Sequence, residues 1–202
     1  MRNTLFTIAG LMVIGTFSTA NAGPPLICQP YSIGDFKSLP WGSGNGWDSP
    51  DAAYDVKHLN QDTLALLNPG TPILARMETM RRAAIYTSAD HAAGRQLLQA
   101  LRERTSTGTG ALAYFDYGYF VESLKQMEWR YKEELSGGVD GYALVKKALT
   151  LDPASGEMHF AAAMMTSSPF RPSERQEHLR KAREAKGGGL LAQNLASHFQ
   201  SN

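Results

Sequence analysis

Two helix-like segments of this chain end in the same dipeptide, and the spacing between them constrains the fold more than any other feature. The dipeptides are Lys147-Ala148 and Lys181-Ala182, 34 residues apart. Between them lie a helix exit and turn that ends at Pro153, and the start of another helix at Glu157. Helix, turn and helix repeated at this period are the layout of stacked helical hairpins. The sequence therefore predicts an all-α fold.

The residues at this junction resemble a tetratricopeptide repeat (TPR). Gly141, Val145, Ala148 and Pro153 stand where that repeat has a small residue, a bulky apolar residue, alanine and proline. The resemblance implies irregular antiparallel helix hairpins stacked as a short right-handed array. It also implies that the concave face of the array binds another protein, and it implies no chemistry.

The units on either side match the repeat less well. The following unit fits at four small or apolar places, which are Ala162, Ala163, Leu179 and Ala182. Arg175 and Gly187 replace its expected small residue and proline, and in the preceding unit Lys125, Glu128 and Lys132 stand at places that should be apolar. The alternative is an all-α protein with one coincidental repeat junction.

The first 22 residues have the features of a secretory signal peptide. Arg2 supplies the positive start, residues 5–17 the apolar core, and Ala20-Asn21-Ala22 a small-x-small cleavage site. We expect cleavage after Ala22 and a periplasmic or secreted protein. A membrane span needs about 20 apolar residues, so we expect no stable membrane insertion of the mature chain. Leu26 and Ile27 are not the small residues that a lipoprotein signal has before its cysteine, so a lipid anchor is not expected either.

Residues 23–50 are rich in proline, glycine and aromatic residues, a composition that excludes long regular helices. Several apolar side chains in this segment would be costly to leave in water: Tyr31, Ile33, Phe36, Leu39, Trp41 and Trp47. We expect an extended N-terminal arm on the helical body, with one helical turn within 32–39. The alternative is a disordered arm that folds onto a partner. Residues 51–202 are expected to form a single helical domain.

Apolar periodicity and helix breakers predict eight helical segments in that domain. They lie at 51–67, 72–87, 88–104, 111–135, 139–149, 155–166, 173–186 and 190–199. The segment 111–135 is the longest, and its first half is apolar on nearly every side, so we expect it at the centre of the fold. Ser155, and Ser173 with Gln176, are predicted helix caps. The last segment is expected to cover the exposed end of the array.

Charge argues against one class of partner, and the cysteine content excludes one kind of cross-link. Without its signal peptide the chain has 19 basic and 19 acidic residues, and this neutrality argues against nucleic acid as the main partner. Cys28 is the only cysteine, so an intramolecular disulfide is excluded. We expect a buried, inert thiol at Cys28; an intermolecular disulfide and a reactive group are the alternatives.

No catalytic, cofactor-binding or metal-binding residue is assigned from the sequence. The histidines have no metal-binding spacing, and we expect His159 in a helix interface and His178 on a surface helix. Residues 108–110 are similar to a phosphate-binding turn, but no strand precedes them and the P-loop lysine is missing. Glycoside cleavage needs two facing acids. Three acids on the 111–135 segment are candidates for such a pair: Asp116, Glu122 and Glu128.

Two functional hypotheses follow. The first is an exported TPR-like protein-interaction or assembly module, with another protein or a peptide as partner and no cofactor. The alternative is an exported helical hydrolase that acts on cell-wall sugar or peptide. A deep pocket with two converging acids would favour the hydrolase, whereas an open groove lined by tyrosine, arginine and glutamine would favour the interaction module.

Overall fold

The computed structural model of the chain describes residues 25–44, 46–107, 110–166, 171–185 and 188–199. Throughout these ranges the regular structure is helical and no strand occurs, which confirms the all-α prediction. The predicted signal peptide lies outside the described residues, as do most of the turn at 108–110, the predicted helix end at 167–169, and Gly187. In the part of the chain that the structure describes, no helix has the length and apolar character needed to cross a bilayer.

A 3-10 turn, Val56–His58, precedes nine α-helices in the described ranges. They are α1 Leu59–Leu66, α2 Ile73–Tyr86, α3 His91–Thr107, α4 Ala111–Lys125, α5 Glu128–Tyr131, α6 Gly141–Leu151, α7 Gly156–Met165, α8 Pro172–Glu184 and α9 Gly189–His198. The predicted cap of α7 is confirmed, because the Ser155 side chain accepts a hydrogen bond from Met158 N. A side-chain oxygen in this place satisfies one of the free N–H groups at the helix start.

The predicted helix over 111–135 is wrong in its second half. α4 ends at Lys125, and the short helix α5 ends at Tyr131, followed by Lys132, whose φ of 56° is left-handed. Tertiary contacts outweigh helix propensity here. Gln126 Oε1 accepts a hydrogen bond from Leu26 N at 2.7 Å, and the Tyr131 hydroxyl donates to Ala84 O in α2. These contacts hold α5 against α2 and fix the turn between α4 and α5 at residue 26.

Three smaller predictions are also wrong. The helix predicted over 51–67 is present from Val56 to Leu66, and only its start is wrong. No helical turn forms in 32–39; instead Gly34 has a φ of 60°, and Phe36 N donates to Ile33 O in a tight turn. Ser173 is not the N-cap of α8, because the helix already begins at Pro172, whose fixed φ suits the first helical position.

Helices α2 and α4 form the centre of the fold. α4 packs on α2, α3 and most extensively on α6, as expected for a helix with apolar residues on nearly every side. The predicted apolar face of α2 is buried: Ile73, Met77, Met80 and Ala84. In α2, however, every residue except Arg82 is buried, and these include Arg76, Glu78 and Arg81.

The crossing of α4 and α6 is close because two glycines meet there. A Cβ atom built on Gly118 would lie 2.5 Å from Gly141 O and 2.9 Å from Leu144 Cβ, which no relaxed structure tolerates. Gly141 is the residue that the TPR resemblance placed at a small position. The two backbones therefore touch without intervening side chains.

The two alanines of the repeated dipeptide are buried, Ala148 in α6 and Ala182 in α8. We expect Ala148→Leu and Ala182→Leu each to lower the free energy of unfolding by about 1–3 kcal/mol, because three added carbons must displace packed neighbours. Urea unfolding measures the effect. Ala143→Leu is the control, since Ala143 lies on α6 but is exposed. Equal stability of all three variants would contradict close helix contacts at both alanines.

The described residues before Val56 contain no helix, and their apolar side chains differ in burial. Leu26, Ile27, Tyr31 and Leu39 are buried. Trp41 and Trp47 are partly buried and pack against the core, whereas Phe36 is 48% exposed. Residues 25–50 are called the N-terminal segment below.

Candidate functional site

The acids weighed as a glycosidase pair do not converge. They are Asp116, Glu122 and Glu128. The first is buried, with its Oδ2 2.6 Å from Nη1 of Arg76. The second accepts a hydrogen bond from Gly141 N at 2.9 Å, and the third accepts one from the Ser136 hydroxyl at 2.7 Å. Each carboxylate therefore bonds to a different part of the fold.

Charged side chains of α2 bind the main chain of the N-terminal segment. The Glu78 carboxylate accepts a hydrogen bond from Tyr31 N at 3.1 Å. Arg81 Nη1 donates to Ile27 O and to Trp47 O, both at 3.1 Å. Hydrogen bonds to charged groups contribute more than those between neutral groups. These three bonds fix the segment on α2 at three points, the outer two of which are 20 residues apart.

Glu78 also joins two arginines into one buried network. Arg81 donates to both of its oxygens at 2.8 Å, and Arg82 Nε donates to Oε1 at 2.7 Å. Burial alone would raise the pKa of Glu78, but the two guanidinium groups outweigh burial and hold its pKa below the usual value. Both guanidinium groups lie over the ring of Trp41, 4.9 and 5.4 Å from its centre.

Cys28 is partly rather than fully buried, which corrects the expectation of a buried thiol. Burial raises its thiol pKa, and the charge of Arg81 opposes that change. The thiolate is the nucleophilic form of cysteine. A raised pKa therefore favours the unreactive thiol at neutral pH.

A chain of hydrogen bonds connects α6, α7 and α8 through two histidines. The Nδ1 atoms of His159 and His178 lie 2.9 Å apart. His178 Nε2 lies 2.8 Å from the Tyr142 hydroxyl, and His159 Nε2 lies 3.3 Å from Pro153 O. His159 is buried in the helix interface and His178 stands on a largely exposed helix, as expected. The His178 ring nevertheless turns inward.

Burial lowers the pKa of both rings. The pKa of His178 falls to about 4, because the neighbouring His159 ring and the Lys181 charge add to the effect of burial. The pKa of His159 is lowered chiefly by burial. Both imidazoles are therefore neutral at pH 7.

An open cleft of about 780 Å3 lies beside His159, where α7 begins, α8 ends and α9 begins. Its lining includes Glu157, His159, Arg180, Lys181, Glu184, Gly188 and Leu191. Small residues bring the helices together at its base, since a Cβ atom on Gly156 would meet Leu191 at 3.0 Å. A smaller polar cleft of about 320 Å3 is lined by Tyr142 and Arg171 and by two acids, Glu122 and Asp140. The histidine chain thus connects the two clefts.

Neither acid of the larger cleft is free. The Glu157 carboxylate accepts a hydrogen bond from Ile73 N, and burial raises its pKa. Glu184 Oε2 lies 2.5 Å from Arg180 Nη1. Over the described residues, no three histidine, cysteine or acidic side chains are grouped so as to hold a metal ion. The charged side chains that line the cleft are Glu157, Arg180, Lys181 and Glu184.

Sequence reasoning missed the contact between His159 and His178, because each was weighed beside the acid on its own helix. One signal could have shown it. His178 precedes Ala182 by four residues, and residues so spaced share a helix face. Ala182 and His178 therefore lie on the same face of α8, and this face points toward α7.

Comparison of the chain with protein-family models, with curated proteins and with solved structures finds no significant match. The geometry of the clefts and of the histidine chain therefore carries the functional conclusions.

Proposed function

We propose that this chain is an exported, TPR-like protein-interaction or assembly module, and that the cleft between α7, α8 and α9 is its binding surface. The observation that carries the proposal is the cleft itself. It is open, has a volume of about 780 Å3, and presents Arg180, Lys181 and Glu184 at its edge. Surfaces of this kind recognise polypeptides by charge pairing and hydrogen bonds. The partner is another protein or a peptide.

Small buried residues support the TPR-like part of the proposal. Ala148 and Ala182 are buried, and Gly118 meets Gly141 where α4 crosses α6. Close contacts between successive helices are what a stack of hairpins needs. The basic start, apolar core and Ala20-Asn21-Ala22 site support export.

The hydrolase alternative lacks comparable support. Glycoside cleavage needs two carboxyl groups facing each other across the substrate. Glu157 binds the start of α2 and Glu184 binds Arg180. Glu157 therefore bonds outside the larger cleft, and Glu184 pairs with a cation of its own helix. The two acids of the smaller cleft, Glu122 and Asp140, accept hydrogen bonds from Gly141 N and Ala143 N at the start of α6.

A single glycine provides a test of the cleft. Gly188 lines it, precedes α9, and has no atom within 4 Å of a built Cβ. Gly110 precedes α4 in the same extended conformation, also with nothing within 4 Å, and lies outside the cleft lining. Gly188→Arg and Gly110→Arg are therefore matched variants that should fold equally well.

We expect Gly188→Arg to weaken partner binding at least tenfold, because the arginine fills the cleft. The measurement is affinity capture from the native envelope fraction with the mature protein and both variants, followed by the affinity of each captured partner. Circular dichroism checks that the variants fold. Equal capture by both variants would remove the cleft as the binding surface. Release of sugar or peptide from cell-wall material by the unaltered protein would instead favour the hydrolase.

A further inference from the structure

The contact between the two histidines holds one hydrogen. At 2.9 Å the Nδ1 atoms of His159 and His178 are at hydrogen-bonding distance. Two lone pairs facing each other would repel, and two N–H groups facing each other would clash. One Nδ1 must therefore donate and the other accept.

The groups at the two ends of the hydrogen-bonded chain, Pro153 O and the Tyr142 hydroxyl, decide which ring donates. Pro153 O can only accept, so His159 Nε2, 3.3 Å away, carries a hydrogen. A neutral imidazole has one hydrogen, which leaves His159 Nδ1 as an acceptor. His178 Nδ1 then carries the shared hydrogen, and its Nε2 accepts from the Tyr142 hydroxyl 2.8 Å away. The two neutral rings thus have opposite tautomers.

The hydrogen-bonded chain of side chains can take up one additional proton without losing a contact. The Tyr142 hydroxyl also contacts the carboxylate of Glu174, but its single hydrogen serves only one acceptor at a time. When a proton from solvent binds His178 Nε2, the hydroxyl hydrogen turns to Glu174 and the hydroxyl oxygen accepts from His178. Every contact is kept, and the carboxylate balances the new charge.

A second proton cannot bind without breaking the contact between the two rings. Its only site is His159 Nδ1, where it would face the hydrogen on His178 Nδ1 at 2.9 Å. Two imidazolium rings would also repel each other. The charged and titratable groups around the pair come from α6, α8 and the residue before each: Asp140, Tyr142, Lys146, Arg171, Glu174, Glu177, Arg180 and Lys181. The cations oppose a second positive charge and the carboxylates favour it; at His159 the charge of Lys181 outweighs that of Glu177.

We propose that His159 and His178 form a proton switch that accepts one proton in place and is forced apart by the second, so that acid separates α8 from α7. α8 is suited to such release because Leu179 and Ala182 are its buried residues. It also supplies one wall of the larger cleft. This consequence rests on the proposed function: if the larger cleft is the binding surface, the switch makes binding there sensitive to acid. The pKa values of both rings are lowered from the usual value of about 6.5, which agrees in direction with two neutral rings at pH 7.

Nitrogen-15 NMR of the ring atoms in the full mature chain tests the switch without any partner. At pH 7 we expect His159 as the Nε2–H tautomer and His178 as the rarer Nδ1–H tautomer. As the pH falls from 6 through about 4, His178 is expected to titrate first. At still lower pH a second protonation is expected to release α8, seen as faster amide exchange in 172–184 than in α7. The same tautomer on both rings, or independent titration of both near pH 6.5, would overturn the proposal.

The pH dependence of stability gives a second measurement. A histidine whose pKa is lowered by folding contributes stability above its unfolded pKa of about 6.5, and that stability is lost as the pH falls toward the folded pKa of about 4. His178→Gln should flatten this loss, whereas the control His58→Gln, at an exposed histidine, should not. If both variants lose stability as the unaltered chain does, the switch is excluded. Partner binding that fails while these measurements succeed would reject the interaction module and leave the switch intact.

Discussion

Replacing Gly118 with alanine is expected to lower the free energy of unfolding by about 3 kcal/mol. The added Cβ would lie 2.5 Å from Gly141 O and 2.9 Å from Leu144 Cβ, so α4 and α6 must move apart. Neither obstacle is the flexible end of a side chain, and the helices share the most extensive contact of the fold. Alanine is the better helix former by about 1 kcal/mol, and we expect the steric effect to exceed that gain.

Gly189→Ala is the matched control for Gly118→Ala. Gly189 is also helical, but nothing lies within 4 Å of a built Cβ, so only the gain in helix propensity remains. Urea unfolding with a common slope compares the two free energies. We expect opposite signs, with Gly118→Ala less stable and Gly189→Ala slightly more stable than the original chain. A stabilised Gly118→Ala protein would show that α4 and α6 do not touch as described.

The close helix contacts were the part of the fold that the sequence predicted best. Gly141, Ala148 and Ala182 were identified from the spacing of a repeat, and all three are buried. Small residues leave this mark because a close backbone approach excludes any larger side chain. The partner glycine, Gly118, was not identified, since it lies among aromatic residues whose apolar character dominated the interpretation of that segment.

Breaks and caps that depend on distant residues were not predictable. The end of α4 is an example, because Gln126 bonds to Leu26, 100 positions earlier. Helix propensity and periodicity describe only neighbouring residues. The meeting of His159 with His178 has the same character, since each ring completes its hydrogen bonds with groups on another helix.

The polar side of α2 was the largest omission. Its apolar positions at 73, 77, 80 and 84 predicted one buried face, and burial of the other face breaks the usual rule that charged residues stay exposed. Glu78 and Arg81 are buried because each finds partners in the other and in the N-terminal segment. Charge pairs three residues apart are common on exposed helices, so the pattern alone does not distinguish the two cases.

We expect Glu78→Gln to lower the free energy of unfolding by about 3–5 kcal/mol, because it leaves the fully buried guanidinium group of Arg81 without a counter-charge. The amide has one oxygen in place of two, so it cannot accept all the hydrogen bonds that Arg81 and Arg82 donate to the carboxylate. The lost bond to Tyr31 N should loosen the N-terminal segment. Urea unfolding measures the first effect, and amide exchange in 25–50 measures the second.

Glu177→Gln is a closely matched control. Glu177 contacts Arg180 and Lys181 at the same three- and four-residue spacings, but this pairing is exposed to solvent. Exposed ion pairs contribute little, so we expect no measurable change in stability and no change in exchange of 25–50. The difference between the two variants therefore measures what burial adds to an otherwise equal arrangement of charges. Equal effects from both would mean that Glu78 does not hold the N-terminal segment on α2.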